Sequence, residues 1–225
     1  MHKKVIPAVF KNTVLERAML SKAGIYASYW LFQGMLYMDW REAFFKILSD
    51  VLLGFFLYVC GTPPVIAVLV AHTLNMVING HFIAMRRHMG LGKTDPEKFI
   101  AYLSELRERL ATKRFILGAA AYGSLSRNIF RPTSDLDIRI FPIDTFSCWA
   151  KVVVWISWER ARALANAFPL DIYAFDIESI DKKMKPDEPP VIFADANAVL
   201  ERKYLKSVGF EDFRGMFMAT YISSR

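Results

Sequence analysis

Two aspartates, Asp135 and Asp137, flank a single leucine within the stretch YGSLSRNIFRPTSDLDIRIF, residues 122–141. The alternation of polar and apolar residues in DLDIRIF predicts a β-strand, in which side chains two positions apart lie on the same face. Carboxylates about 7 Å apart along one strand face repel each other unless a cation lies between them. Oxygen ligands of this kind suit Mg²⁺, which proteins commonly hold with one or two carboxylates and substrate phosphates. The pair therefore indicates a magnesium site.

A solvated edge strand is the alternative interpretation of the two aspartates, with Arg139 on the same face neutralising part of their charge. The residues upstream favour the magnesium site. AAAYGS predicts a small-residue strand that ends in a Gly-Ser turn, and SLSRNIF predicts a short helix that begins there. Gly123 allows close approach of a phosphate, the Ser124 hydroxyl and the helix N-terminus provide donors, and Arg127 adds a positive charge.

The stretch GSLSRNIFRPTSDLDIRI resembles the signature of the DNA polymerase β-like nucleotidyltransferase superfamily, and in spacing it is most similar to the minimal nucleotidyltransferases. The resemblance covers roughly residues 115–176 and implies two sets of site residues. The implied nucleotide-binding residues are Gly123, Ser124, Arg127 and Ser134, and the implied catalytic and metal-binding residues are Asp135, Asp137 and Asp171.

The third carboxylate of this set lies on a later strand, which the segment PLDIYAF provides. Asp176, at the end of the same strand, competes with Asp171 for the role. Strand alternation puts the two on opposite faces, which favours Asp171. The sequence departs from the family pattern at Leu125, where arginine is commoner, and at Asn128, where glycine is usual.

The resemblance implies phosphoryl transfer with two Mg²⁺ ions and an NTP as substrate. The predicted protein is an Mg-dependent nucleotidyltransferase that moves an NMP to an acceptor hydroxyl and releases pyrophosphate. The nucleotide and the acceptor are both open, and a protein, a sugar or lipid-linked glycan, RNA and a small molecule are all compatible with the motif. One alternative is a non-catalytic nucleotide-binding, antitoxin or scaffold protein that retains the fold. Another is a membrane-anchoring protein whose α/β part only binds nucleotide.

The elements around the motif predict an α+β fold, since strands interleave with helices only in the second half of the chain. Residues 1–113 are expected to form an all-helical, basic, apolar-rich domain. Residues 114–225 are expected to form a catalytic domain with a small nucleotidyltransferase-type mixed sheet flanked by helices, followed by a tail. Helical patterns cover 39–59, with Asp39 as N-cap, about 65–87, with Gly90 as cap at the end, 94–113, with Thr94 or Asp95 as N-cap, and 146–168. Strand patterns cover 114–123, 135–141, 170–175 and, as a short edge strand, 191–195, and residues 182–190 are expected to form a surface loop.

The positive charge of the chain lies entirely in its first half. Residues 1–114 carry 15 Lys and Arg against 8 Asp and Glu, whereas the remaining residues carry 14 of each. The 35 residues from Val51 to Met85 have no formal charge if the histidines are neutral, and CGTPP interrupts them with two prolines. Two short helices that meet at this turn are expected, either as a soluble core pair or as a hairpin in one membrane leaflet. The chain is therefore predicted to be cytoplasmic, with residues 25–90 available to contact the inner face of the membrane or a second copy in a homodimer.

Polar residues form a stripe on each of these two helices. The stripes consist of Glu42, Lys46, Ser49 and Asp50 on the first helix and His72, Asn75, Asn79 and Arg86 on the second. The second stripe predicts either a buried hydrogen-bond network between helices or a surface that faces an acceptor or a lipid headgroup. Cys60 and Cys148 lack metal-type spacing and are expected to be small core residues in a reducing compartment. With 54% hydrophobic residues, the composition excludes a disordered chain.

Overall fold

The computed structural model of the chain describes residues 12–13, 16–17, 21–35, 38–79, 82–83, 92–180 and 189–223. Within these ranges the chain forms seven α-helices and a five-stranded mixed sheet, which confirms the α+β class. A separate helical domain and a nucleotidyltransferase-type arrangement stay predictions. The elements are α1 (Lys22–Phe32), α2 (Trp40–Val59), α3 (Pro64–Ile78), α4 (Pro96–Ala111), β1 (Ile116–Tyr122), β2 (Leu136–Pro142), α5 (Phe146–Ala165), β3 (Leu170–Ala174), β4 (Val191–Asp195), α6 (Val199–Lys203), β5 (Val208–Gly209) and α7 (Phe210–Tyr221).

The helices begin where the sequence provides caps. The Asp39 side chain accepts a hydrogen bond from the Arg41 amide at the start of α2, and Asp95 does the same at the start of α4. Helix α3 ends at Ile78 with Asn79 as its C-cap, earlier than predicted, and the predicted cap Gly90 lies outside the described residues. The predicted loop at 182–190 also falls mostly outside them. Among the helices of the described ranges, none combines the length and the hydropathy needed to cross a membrane.

The sheet has the strand order β3-β2-β1-β4-β5. Strand β1 pairs antiparallel with β2 and β4, whereas β2 pairs parallel with β3 and β4 pairs parallel with β5. Strand β2 therefore lies inside the sheet, and the edge-strand interpretation of its aspartates is wrong on this point. The prediction of an edge strand at 191–195 is also wrong, because the tail adds the short strand β5 beside β4.

The two faces of the sheet are covered by different parts of the chain. Large apolar side chains from α4, α5 and α7 cover the face that carries Ile138, Ile140 and Ile172. The opposite face carries Tyr122, Phe141, Tyr173 and Phe175, and the segment that leads into α2 packs against it through Met35 and Met38. Because side chains alternate along β2 and β3, Asp137 and Asp171 belong to this second face.

An ion pair covers the open edge of the sheet. The Arg160 guanidinium in α5 donates hydrogen bonds to the Ile172 carbonyl of β3 and, at 2.6 Å, to the Glu42 carboxylate in α2. The other Glu42 oxygen accepts from the Ala174 amide at 2.7 Å. The charged pair thus satisfies the main-chain groups that a neighbouring strand would otherwise bind.

The polar stripes of α2 and α3 face inward except at the exposed Ser49, so the prediction of a buried network is confirmed for the other described residues. His72 contacts Asp50 at 2.8 Å, and the Asn75 amide donates to the Lys46 carbonyl and to Asp50. Asn79 accepts a hydrogen bond from Arg160, which connects this network to the sheet edge. The fourth predicted member, Arg86, lies outside the described residues.

Lys46 lies at the centre of this network, beside a cavity of about 160 Å³. It is 5% exposed, and its Nζ atom donates to the Gln33 carbonyl at 2.8 Å. Burial and the nearby Arg160 lower the pKa of Lys46 to about 6, although Glu42 and Asp50 act in the opposite direction. The lysine is therefore mostly neutral at pH 7.

Glu42→Gln tests the ion pair at the sheet edge. We expect it to lower the free energy of unfolding by about 3–5 kcal/mol, because it leaves the buried Arg160 charge without its counter-ion. Urea unfolding measures the loss. The matched control is Asp144→Asn, which breaks the exposed pair between Asp144 and Arg41 and should cost less than about 1 kcal/mol. Equal losses in the two variants would contradict the assigned role of the buried pair.

Lys46→Met tests the lowered pKa. Between pH 6 and 10.5 native Lys46 binds fewer protons than Lys46 in the unfolded chain, so its contribution to stability improves as pH rises through this window. The free energy of unfolding of the wild type, measured relative to Lys46→Met, should therefore increase from about pH 6 to about pH 10. Lys98→Met removes an exposed lysine and serves as the control. If the difference in the free energy of unfolding between the wild type and Lys46→Met stays constant with pH, the pKa of Lys46 is not lowered.

Candidate active site

Asp137 and Asp171 lie side by side at the start of two parallel strands. The tripeptides Leu-Asp-Ile at 136–138 and 170–172 are aligned in register, so the two aspartates are partners across β2 and β3. The leucines and isoleucines fill the core on the opposite face, and this burial fixes the register. The structure thus brings together two of the three predicted carboxylates.

The pair is partly shielded from water. The side chains of Asp137 and Asp171 are 29% and 37% exposed, and Asp135, one residue before β2, is exposed. Burial, followed by the charges of Asp171 and Asp135, raises the pKa of Asp137 well above its ordinary value. A cation bound between the two carboxylates would relieve this repulsion.

Arg139 supplies part of that positive charge. Its Nη2 atom lies 3.9 Å from Asp137 Oδ1 and 3.8 Å from Asp171 Oδ2. Its Nη1 atom donates to the carbonyl oxygens of Ile138 and Asp171, which holds the guanidinium against the strands. The sequence-based suggestion that Arg139 shares a face with the aspartates and neutralises part of their charge is therefore confirmed.

Gly123 packs directly against the Asp137 carboxylate. It follows β1 with a φ of +76°, and a Cβ atom at this position would lie 2.6 Å from Asp137 Oδ2. Both its backbone conformation and its surroundings therefore require glycine. The sequence predicted that a phosphate can approach Gly123 closely. In the structure, the Asp137 carboxylate lies close to Gly123.

The loop after Gly123 is tighter than predicted. The expected short helix is one 3₁₀ turn, Leu125–Arg127, because Asn128 adopts a left-handed conformation with a φ of 49° that ends it. Asparagine tolerates this conformation better than most residues, which explains how it replaces the usual glycine. The Ser126 hydroxyl donates to the Gly123 carbonyl, whereas Ser124 makes no side-chain hydrogen bond within the described part of the chain. Arg127 is exposed in this turn.

The remaining predicted residues have structural contacts. The Ser134 hydroxyl accepts from the Arg131 amide at 3.0 Å and closes the turn that precedes β2. Asp176 follows β3 and accepts from the Glu178 amide, away from the register position that pairs with Asp137. Asp171 therefore remains the preferred third carboxylate.

Tyr221 of α7 supports this loop, which no sequence pattern indicated. Its hydroxyl accepts from the Phe130 amide at 3.0 Å and donates to the Asn128 carbonyl at 2.9 Å. The two ends of this contact are more than 90 residues apart in the chain, so local patterns could not reveal it.

The donor chemistry of the site fits a hard cation such as Mg²⁺, because the two adjacent carboxylates provide oxygen ligands whose mutual repulsion Arg139 relieves only in part. No cluster of three or more His, Cys, Asp or Glu side chains with metal-binding geometry occurs among the residues that the structure describes. Asp135 lies close enough to the paired aspartates for its charge to raise the pKa of Asp137.

Comparisons with known proteins gave no match, whether with family models, with curated proteins or with solved structures.

Gly123→Ala tests the close contact in the site. We expect a loss of about 1–3 kcal/mol in the free energy of unfolding, because alanine disfavours the positive φ and its methyl group would displace the Asp137 carboxylate. Gly215→Ala is the matched control. An added Cβ meets no atom within 4 Å at this position in α7, so the substitution should stabilise the protein by up to about 1 kcal/mol. Chemical unfolding of both variants measures the difference, and equal effects would contradict the contact.

Proposed function

We propose that the protein is an Mg-dependent nucleotidyltransferase that transfers an NMP from an NTP to an acceptor hydroxyl and releases pyrophosphate. The observation that carries the proposal is the register of Asp137 with Asp171, directly beside the turn at Gly123. The contact between this turn and the carboxylate pair supports a shared use of the two motifs. Nucleotide phosphates held at the turn would lie next to the carboxylates.

Asp135, Asp137 and Asp171 would hold the magnesium ions. Bound magnesium supplies positive charge that neutralises the phosphates and the leaving group in such a site. Because burial and neighbouring charges raise the pKa of Asp137, proton release and metal binding would be linked at this carboxylate. Arg139 would hold the two carboxylates in place from the side of the sheet.

In the proposed reaction, the acceptor oxygen attacks the α-phosphorus of the NTP. A new oxygen–phosphorus bond forms, the bond from the α-phosphorus to the bridging oxygen of the β-phosphate breaks, and pyrophosphate leaves. Asp171, the more exposed of the paired carboxylates, would take the proton of the acceptor hydroxyl. Most of the acceleration in a site of this kind comes from positioning and from charge stabilisation.

The turn would bind the phosphates. The Ser124 hydroxyl makes no hydrogen bond with the described protein residues, so it can donate to a phosphate oxygen without losing a structural contact. Arg127 is exposed one turn later and would add positive charge. Ser134 holds the following turn and would act by positioning Asp135.

Label transfer is the direct test. The purified protein is incubated with Mg²⁺ and each NTP labelled at its α-phosphate, in the presence of a protein lysate, total RNA or a membrane extract. We expect label to appear on one acceptor class with the wild type and to fall at least about a hundredfold with Asp137→Asn or Asp171→Asn. The extract that carries the label identifies the acceptor class.

Asp176→Asn is the matched control for these variants. It changes the competing carboxylate of the same segment, and asparagine can still accept the hydrogen bond from the Glu178 amide. Transfer should therefore persist in Asp176→Asn. Loss of transfer in this variant together with retention in Asp171→Asn would reverse the assignment of the third carboxylate.

Arg139 favours a second candidate function, a nucleotide-binding protein without catalysis. A guanidinium within 4 Å of both carboxylates already supplies a counter-charge that metal ions supply in the proposed enzyme. In that case NTP would stabilise the wild type and Asp137→Asn equally in a thermal-shift assay, and no extract would become labelled. The proposed nucleotidyltransferase function instead requires that Mg²⁺ and NTP together stabilise the wild type more than they stabilise Asp137→Asn.

A further inference from the structure

Helices α2 and α3 form an antiparallel pair whose outer surface is apolar. The segment Val51–Ile78, termed the apolar hairpin below, contains no acidic residue, lysine or arginine. Large side chains that would normally lie in a core are exposed on it, among them Phe55 at 64% and Val65 at 70%. The exposed members on α2 are Val51, Leu52, Phe55, Phe56, Tyr58 and Val59, and those on α3 are Val65, Ile66, Val68, Leu69, Val70, Leu74 and Ile78. A contiguous apolar surface of this size indicates a partner.

The polarity of this helix pair is the reverse of that in a water-soluble bundle. Glu42, Lys46 and Asn75 are buried between helices, where the network described above satisfies them. The apolar side chains lie on the outside. Buried polar groups and exposed apolar groups on the same helices suit a surrounding medium that is itself apolar.

The turn between the helices exposes few free backbone donors. The amides of Cys60, Gly61 and Thr62 donate to carbonyl groups of the last turn of α2, at 2.9–3.0 Å. Pro63 and Pro64, which begin α3, have no amide hydrogen. The five residues of the turn therefore leave no unpaired N–H group, which limits the free donors at this end of the hairpin to the first amides of α3, those of Val65 and Ile66.

Small residues bring the two helices together. A Cβ atom on Gly54 would lie 3.7 Å from the Ala71 Cβ and 3.9 Å from the Ala67 carbonyl oxygen, so the helix backbones are in close contact. Ala67 and Ala71 are spaced four residues apart and face α2. Helices in membranes associate through small residues in this way, because lipid provides no hydrophobic drive to join large side chains.

The hairpin has the dimensions of one leaflet. The nine residues from Val51 to Val59 rise about 13 Å along the helix axis, close to half of a hydrocarbon core that is about 30 Å thick. The net charge of +7 on residues 1–114 favours anionic headgroups.

A second copy of the chain fits this surface less well. The exposed side chains of α3 lie on nearly all sides of the helix, apart from the stripe of Ala67, Ala71, Asn75 and Met76. A dimer contact would cover one side and leave the others in water. Lipid covers all sides and the turn at once.

We propose that the apolar hairpin inserts into one leaflet of an anionic bilayer as a re-entrant hairpin, with both ends on the same side of the membrane. The inserted part runs from Val51 through the turn at Cys60 to about Val70, so that His72 and Asn75, which contact Asp50, stay outside the hydrocarbon. The network around Lys46 stays outside the hydrocarbon, at the base of the hairpin. This inference concerns where the protein resides and is independent of the proposed reaction.

Vesicle flotation tests insertion. The full chain is mixed with vesicles of phosphatidylcholine and phosphatidylglycerol and centrifuged in a density gradient, with and without high salt. We expect the wild type to float in both conditions and the double variant Phe55→Glu, Phe56→Glu to lose more than about tenfold in bound fraction. Both replaced side chains are exposed, so circular dichroism should show an unchanged fold. The matched control is Leu205→Glu, which puts a charge at an exposed leucine outside the hairpin and should still float.

Cys60 provides a native probe of depth. It is exposed in the turn, contrary to the prediction that both cysteines lie in the core, and Cys148 is only partly buried. In a Cys148→Ser variant, an environment-sensitive fluorophore on Cys60 should shift to shorter wavelength on vesicle binding. A spin label deep in the acyl chains should quench it more strongly than a spin label near the headgroups.

Three results would overturn the proposal. The first is flotation that high salt abolishes, or quenching only by the headgroup label, because either would show surface binding without insertion. The second is quantitative dimerisation in buffer without vesicle binding, which light scattering would detect and which would assign the apolar surface to a second copy. The third is unchanged flotation of the double glutamate variant.

Discussion

The position of the helices relative to the sheet depends on the contacts of one side chain, Arg160. Its guanidinium binds the Ile172 carbonyl on the open edge of the sheet, the Glu42 carboxylate of α2 and the Asn79 amide oxygen at the end of α3. A buried charge of this kind is costly unless each donor finds an acceptor. The same contacts therefore end the sheet, anchor both helices of the apolar hairpin and order the strand that carries Asp171.

Charged side chains are withdrawn from water both in the candidate site and at the base of the apolar hairpin, but they are stabilised differently. In the site, Arg139 lies beside two carboxylates that remain partly exposed, so charge is balanced but still accessible to a ligand. At the base of the hairpin, burial is nearly complete, and Lys46 responds by losing much of its affinity for a proton. The first arrangement suits exchange of cations and phosphates, and the second suits a fixed framework.

The sequence predicted most of what depends on short-range pattern. The strands, the caps at Asp39 and Asp95, and the inward polar stripe all follow from local spacing. The Leu-Asp-Ile tripeptide occurs in both β2 and β3. If the two strands are taken to be parallel, aligning the tripeptides gives the register that pairs Asp137 with Asp171. Contacts between distant segments were not accessible, because nothing local to Arg160 indicates Glu42, and nothing local to Asn128 indicates Tyr221. The short strand β5 was missed for the same reason, since it forms only beside β4.

The length of α2 has a consequence for how the molecule would meet its acceptor. From Glu42, which contacts the sheet edge, to Val59 the helix rises about 25 Å. With about 15 Å of that length in a leaflet and α2 along the membrane normal, the edge strand with Asp171 would lie about 10 Å above the hydrocarbon. The rigid connection through Arg160 would hold the site at that height. The membrane-bound protein would then reach acceptor hydroxyls that lie close to the bilayer by diffusing laterally in two dimensions. It would not reach acceptor hydroxyls that lie far above the bilayer.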